Sequence, residues 1–133
     1  MHKLYLSATL VYLTFLTAIV ILANNEWASW LFNIFEGLPY ADKVGHLFLM
    51  GIFSFLLNSA LRCREITIRG IKILLGSLIV CGIVLAEEVS QVFVESRNSD
   101  PLDMLFDVMG IYLFGLLARR LGDTATKSVE QTR

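Results

Sequence analysis

Twenty consecutive residues without a charge, Leu4 to Ala23, decide most of what this chain can become. As a helix rising about 1.5 Å per residue they reach roughly 30 Å, the thickness of a bilayer's hydrocarbon core. A soluble helix alternates apolar and charged faces and this segment has no charged face, so a water-soluble bundle of unusually apolar helices is the poorer reading. The pattern returns three times. Val44 to Leu61 holds His46 as its one titratable side chain, and Ile73 to Ala86 reaches spanning length when continued through Glu87, Glu88 and Gln91 to Val94. Pro101 to Leu121 carries Asp103 and Asp107 near its start. With 56% apolar residues, 133 residues leave no room for a soluble domain beside four spans. The expectation is an all-α integral membrane four-helix bundle over residues 1–121, with spans at about 4–23, 44–61, 73–94 and 101–121, followed by a polar cytoplasmic tail over 122–133.

The N-terminal run is longer than a secretory h-region and ends Ile21-Leu22-Ala23 without a clear small-x-small site, which reads as an uncleaved first span. Orientation follows from the basic residues, because cytoplasmic loops beside spans carry the excess of lysine and arginine. Lys3, Arg62, Arg64, Arg69, Lys72, Arg119, Arg120, Lys127 and Arg133 fall on one side of a four-span arrangement, and only Lys43 and Arg97 on the other. Both termini are therefore expected in the cytoplasm, with the chain a multi-pass protein of a bacterial cytoplasmic (inner) membrane. The net charge of −1 conceals this polarity, and no basic reading surface for nucleic acid is present. Cys63, at the inner end of the second span, and Cys81, in the middle of the third, are read as structural.

Between the first two spans, Trp27, Trp30, Leu31, Ile34 and Leu38 recur at helical spacing, which predicts a short amphipathic helix lying in the interface with its tryptophans at headgroup level. It would roof the outer ends of the other spans, where the chemistry-bearing residues converge. Asp42, Lys43 and His46 open the second span, with His46 about one turn, on the order of 6 Å, below Asp42. Glu88 and Gln91 share a face at the end of the third. Asp100-Pro101-Leu102-Asp103 reads as an N-cap, a proline at the first helical position and an acidic residue in the first turn, and Asp107 follows on the same face as Asp103. His46, Glu88 and Asp107 are thus placed at similar depth, and carboxylates in a bilayer are normally turned inward and given partners. His46, Arg97, Lys43 and Gln91 are the partners at hand, while Asn58, toward the inner end, is read as an interhelical hydrogen bond.

These residues also resemble a known family. Asp42-Lys43-x-x-His46, then Glu88-x-x-Gln91-x-Phe93-x-x-x-Arg97-x-Ser99-x-x-x-Asp103-x-x-x-Asp107-x-x-Gly110, is similar to the VanZ-like family of small bacterial membrane proteins, named for a teicoplanin-resistance accessory protein. The resemblance covers roughly Asp42 to Leu117. This chain departs from the family pattern at Glu95-Ser96, where Pro-Gly is frequent, at Met50, where an aromatic residue is usual, and at Asp107, where asparagine is usual. The resemblance implies an association with the bacterial envelope and, for some members, reduced sensitivity to glycopeptides. It implies no settled reaction.

Three function classes follow. In the first, His46 and Glu88 form a candidate acid/base pair in a pocket for a membrane lipid or envelope head group, with Asp42, Lys43, Gln91, Arg97, Asp103 and Asp107 as binding residues and Arg97 contacting phosphate by its planar fork. In the second, the cluster is structural and the chain is an accessory subunit for membrane protein partners, packed through Gly76, Gly82, Gly110 and Gly115. In the third, His46, Glu88, Asp103 and Asp107 hold a divalent cation, but no dense signature such as H-E-x-x-H supports it, so no metal and no cofactor is assigned.

Overall fold

The computed structural model describes residues 2–23, 40–91 and 101–131. The described chain is mostly helical: α1 (His2–Ala23), α2 (Ala41–Ala60), α3 (Leu75–Gln91) and α4 (Pro101–Gln131), with a two-stranded hairpin, β1 (Glu65–Ile68) and β2 (Ile71–Leu74), between α2 and α3. Among the described residues, three helices are long and apolar enough to cross a membrane: Lys3–Leu22, Ala41–Ala60 and Pro101–Asp123. The interfacial helix expected around Trp27 to Leu38 lies outside the described residues.

α1 is helical because nothing in it competes with its own backbone. Its hydroxyls are retained inside the helix: Ser7, Thr9, Thr14 and Thr17 each donate to the carbonyl four residues earlier, at 2.7 to 3.0 Å. Such back-bonding hides a polar group that lipid cannot solvate. Only 11% of its apolar window is fully buried within the described chain, which leaves most of its surface outward, as a lipid-facing helix requires. It is tied to α2 by Tyr12, whose hydroxyl donates to the Leu49 carbonyl at 3.1 Å and whose ring lies 6.3 Å from that of Phe53. Leu16, Phe53, Val80, Val84 and Ile111 close the apolar core among the four helices.

A second, polar core lies deeper. Ser54 and Asn58, one turn apart on α2, are fully buried, and their partner is Ser77 in the first turn of α3. The Asn58 amide donates to Ser77 Oγ at 2.9 Å and to Ser54 Oγ at 3.2 Å, and its carbonyl accepts the Ser77 backbone N–H at 3.2 Å. Asn58 therefore caps α3 from a neighbouring helix, satisfying one of the orphan donors of its first turn. Ser54 also donates to the Ile111 carbonyl of α4 at 3.0 Å, so the network joins three helices. Gly76 makes room for it, since a Cβ there would fall 2.5 Å from Asn58 Oδ1.

Two features add a small hairpin to the helical architecture and shorten the start of the third helix. α2 stops in a Schellman arrangement, with the Arg62 N–H on the Ser59 carbonyl (3.2 Å), the Cys63 N–H on the Asn58 carbonyl (2.7 Å), and Arg62 itself left-handed at φ 55°. Residues 71–74, of which Ile73 and Leu74 open the expected third span, form β2, paired antiparallel with β1 in the register Glu65↔Leu74, Ile66↔Ile73, Thr67↔Lys72 and Ile68↔Ile71. Arg69 (φ 52°) and Gly70 (φ 84°) turn the hairpin, two positive φ values in a row being what a type I′ turn requires. Helix α3 consequently begins at Leu75 rather than 73, and its 17 described residues span about 25 Å. At the other end of the chain, α4 continues unbroken to Gln131, so the polar tail begins as helix.

Candidate functional site

α2 and α4 start at the same end and run parallel, because successive residues of one meet successive residues of the other: Lys43 with Asp103, His46 with Asp107, and Gly51 with Phe114. Lys43 and His46 share a face of α2 at i, i+3, and Asp103 and Asp107 share a face of α4 at i, i+4. The result is an alternating chain of charge from the surface inward. Asp42, with 63% of its side chain exposed, pairs with Lys43 Nζ at 3.1 Å. The Lys43 side chain is only 9% exposed, and its ammonium also reaches Asp103 Oδ1 at 2.9 Å. Asp103 Oδ2 lies 3.8 Å from His46 Nε2, and His46 Nδ1 lies 3.1 and 3.3 Å from the two oxygens of Asp107.

Asp107 is the innermost member, with 5% of its side chain exposed, whereas His46 keeps 35%. A carboxylate only accepts hydrogen bonds, so Nδ1 carries the proton that faces Asp107 and a neutral ring presents Nε2 as its basic nitrogen. That is the arrangement of an imidazole held in one tautomer by a buried acid, able to take or give a proton at its outer nitrogen. Proline at the first position of α4 and Asp103 in its first turn place the two aspartates as the sequence pattern implies.

The geometry brings Asp42, Lys43, His46, Asp103 and Asp107 together. It does not join His46 to Glu88: among the described residues, the carboxylate bonded to His46 is that of Asp107. Glu87 and Glu88 are both half-buried at the end of α3. The side chain of Gln91 and the whole of Arg97 lie outside the described residues. Among the described residues no group of three or more His, Cys, Asp or Glu side chains has the geometry to hold a metal ion.

Sequence reasoning missed Ser54 and Ser77 as partners of Asn58; the i, i+4 recurrence of Ser54 and Asn58 inside an apolar span was the signal. It also missed a cleft of about 700 Å³ at the opposite end of the helices, lined by Tyr5, Phe55, Arg62, Cys63, Glu65 and Arg119 among others. This cleft is open and its charges are mixed, whereas burial and pairing of ionisable groups coincide at His46. Burial pushes the Cys63 thiol up, which leaves it protonated and a weak nucleophile at neutral pH.

The pairing can be measured. His46→Ala and Asp107→Ala should each destabilise, and together they should fall short of the sum by about 1 kcal/mol or more, since each single change strands the other partner. His46→Ala with Glu88→Gln should be additive to within about 0.5 kcal/mol. Thermal unfolding of the five variants in detergent decides it, and additivity of the first pair would sink the assignment of Asp107 as the partner of His46. No protein-family model, characterised protein or solved structure matches the chain, so a functional reading rests on the geometry of its own side chains.

Proposed function

We propose that the chain is a VanZ-like multi-pass protein of the bacterial cytoplasmic membrane, with four spans and both termini inside, whose outer polar site binds a lipid or envelope head group and handles a proton there. The observation that carries this reading is the His46–Asp107 pair: a half-buried imidazole oriented by a buried carboxylate across two helices. Ionisable groups are costly in a membrane and are found where they do work. In this reading His46 Nε2 is the acid/base atom, Asp107 holds the ring, and Glu88 is the second proton-carrying group. Lys43 and Arg97 meet the phosphate, with Asp42, Asp103 and Gln91 completing the wall. The parallel starts of α2 and α4 add two positive dipole ends on the same side, which suits an anionic group.

A second reading has one observation in its favour. Among the described residues no buried side-chain nitrogen or oxygen lacks a partner, as expected of a network that only fixes helix register in an accessory subunit of a membrane complex. Two conservative variants separate the readings in a host that shows an envelope-stress or glycopeptide-sensitivity phenotype on deletion. Arg97→Lys keeps the charge and loses the bidentate fork, and His46→Gln keeps a hydrogen bond and loses the titration. A working site predicts loss of function by at least about tenfold at unchanged membrane abundance, with a phospholipid or envelope lipid recovered from the native protein by mass spectrometry. Full activity of both well-folded variants, with a stoichiometric protein partner in place of lipid, would establish the accessory subunit.

A further inference from the structure

The hairpin has two faces with different company. In a strand, alternate residues point to opposite sides, so Glu65, Thr67, Lys72 and Leu74 share one face and Ile66, Ile68, Ile71 and Ile73 the other. The first face is turned to α4: Glu65 Oε1 pairs with Arg119 at 3.0 Å, and Leu74 Cδ1 lies 3.5 Å from where a Cβ on Gly115 would stand. The four isoleucines are therefore turned away from α4, and toward the tip they are bare, with Ile68 44% and Ile71 66% exposed.

Depth decides what covers them. Gly115 and Arg119 belong to the apolar window Pro101–Asp123, and Gly115 comes eight residues, about 12 Å, before its end. The hairpin is thus fastened beside the last turns of a membrane-spanning helix rather than held out in water. Its charges complement a lipid surface: Arg62, Arg64, Arg69 and Lys72 lie in or beside the hairpin, and its one acid, Glu65, is taken by Arg119. We propose that the hairpin is an interfacial anchor, with its isoleucine face inserted at the acyl boundary of the adjoining leaflet and Arg64, Arg69 and Lys72 binding the phosphates of anionic lipids. Shallow insertion leaves the outer strand edges at headgroup level, where water and phosphate satisfy their backbone groups. The anchor requires only that the apolar helices span a bilayer, and stands whether or not the His46 site engages a head group.

Spin labels on Ile71→Cys and on Thr67→Cys test it, in the full chain carrying Cys63→Ser and Cys81→Ser and reconstituted in phosphatidylethanolamine/phosphatidylglycerol bilayers. The label at 71 should be roughly threefold more accessible to oxygen than to a water-soluble nickel chelate, relative to the label at 67, as an acyl-boundary position requires. That contrast should shrink in phosphatidylcholine alone, where the basic residues lose their anionic partners. Equal accessibility at the two positions would overturn the anchor. So would spin–spin broadening at 71 that disappears on dilution with lipid, which would mean that a second copy covers the face. A contrast unchanged in neutral lipid would overturn the role of the three basic residues. If the cysteine-free chain fails to fold, a photoreactive benzophenone residue at 71 in the otherwise unaltered chain replaces the labels. Adducts to lipid support the anchor, and adducts to protein overturn it.

Discussion

Gly110→Ala is expected to unfold the α2–α4 pair, at a cost of about 3 kcal/mol or more, because the added Cβ would land on the backbone carbonyl of Leu47. A backbone atom cannot rotate out of the way, so the two helices must separate. Leu47 follows His46 directly and Gly110 comes one turn after Asp107, so the separation occurs where the imidazole meets its carboxylate. The variant should therefore lose the His46–Asp107 hydrogen bond along with stability. Two glycines on α2 calibrate the effect. At Gly51 a Cβ would meet the Phe114 ring at 2.6 Å, and a side chain can yield, so Gly51→Ala should cost less, about 1 to 2 kcal/mol. At Gly45 nothing lies within 4 Å, and alanine's better helix propensity should make Gly45→Ala neutral or stabilising by up to about 1 kcal/mol. Thermal midpoints in detergent should rank Gly45→Ala above wild type or level with it, then Gly51→Ala, then Gly110→Ala. A Gly110→Ala protein as stable as wild type would show that the helices do not approach this closely.

Lys43→Met should be nearly as damaging. Lys43 is bonded to both Asp42 and Asp103, and replacing it with an uncharged side chain of similar length takes that cation from both carboxylates. Removing one partner of a buried pair costs about 3 to 5 kcal/mol, and Asp103, which retains some exposure, places this case near the lower figure. A fall of more than about 10 °C in the thermal midpoint is expected on that basis. Adding Asp103→Asn should restore part of the loss, because the stranded charge is then removed as well. If the double variant is as unstable as the sum of the single changes, Lys43 and Asp103 do not depend on each other.

Much of the site was legible in the chain because it obeys helical arithmetic. Asp42, Lys43 and His46 at the start of one apolar segment and Asp103 and Asp107 at the start of another fix which residues share a face, and Pro101 marks where the second helix begins. Which face meets which is a different matter. Glu88 and Asp107 are equally plausible partners for His46 by depth alone, and only the parallel packing of α2 on α4, brought close by Gly110, selects Asp107.

The hairpin shows the opposite situation. Its pattern was in the sequence: Ile66, Ile68, Ile71 and Ile73 alternate with polar residues around Arg69-Gly70, the period of a strand with a turn between. Hydropathy averaged over a span-length window merges Ile73 and Leu74 with the helix that follows, and the period-2 signal disappears in the mean. The length and apolarity of α1, α2 and α4 are properties of single segments, since a helix in lipid satisfies its own backbone and needs no neighbour to form. Those the sequence determined by itself. The order of charge from Asp42 to Asp107, the capping of α3 by Asn58 and the direction of the isoleucine face depend on side chains far apart in the chain, and only tertiary packing could decide them.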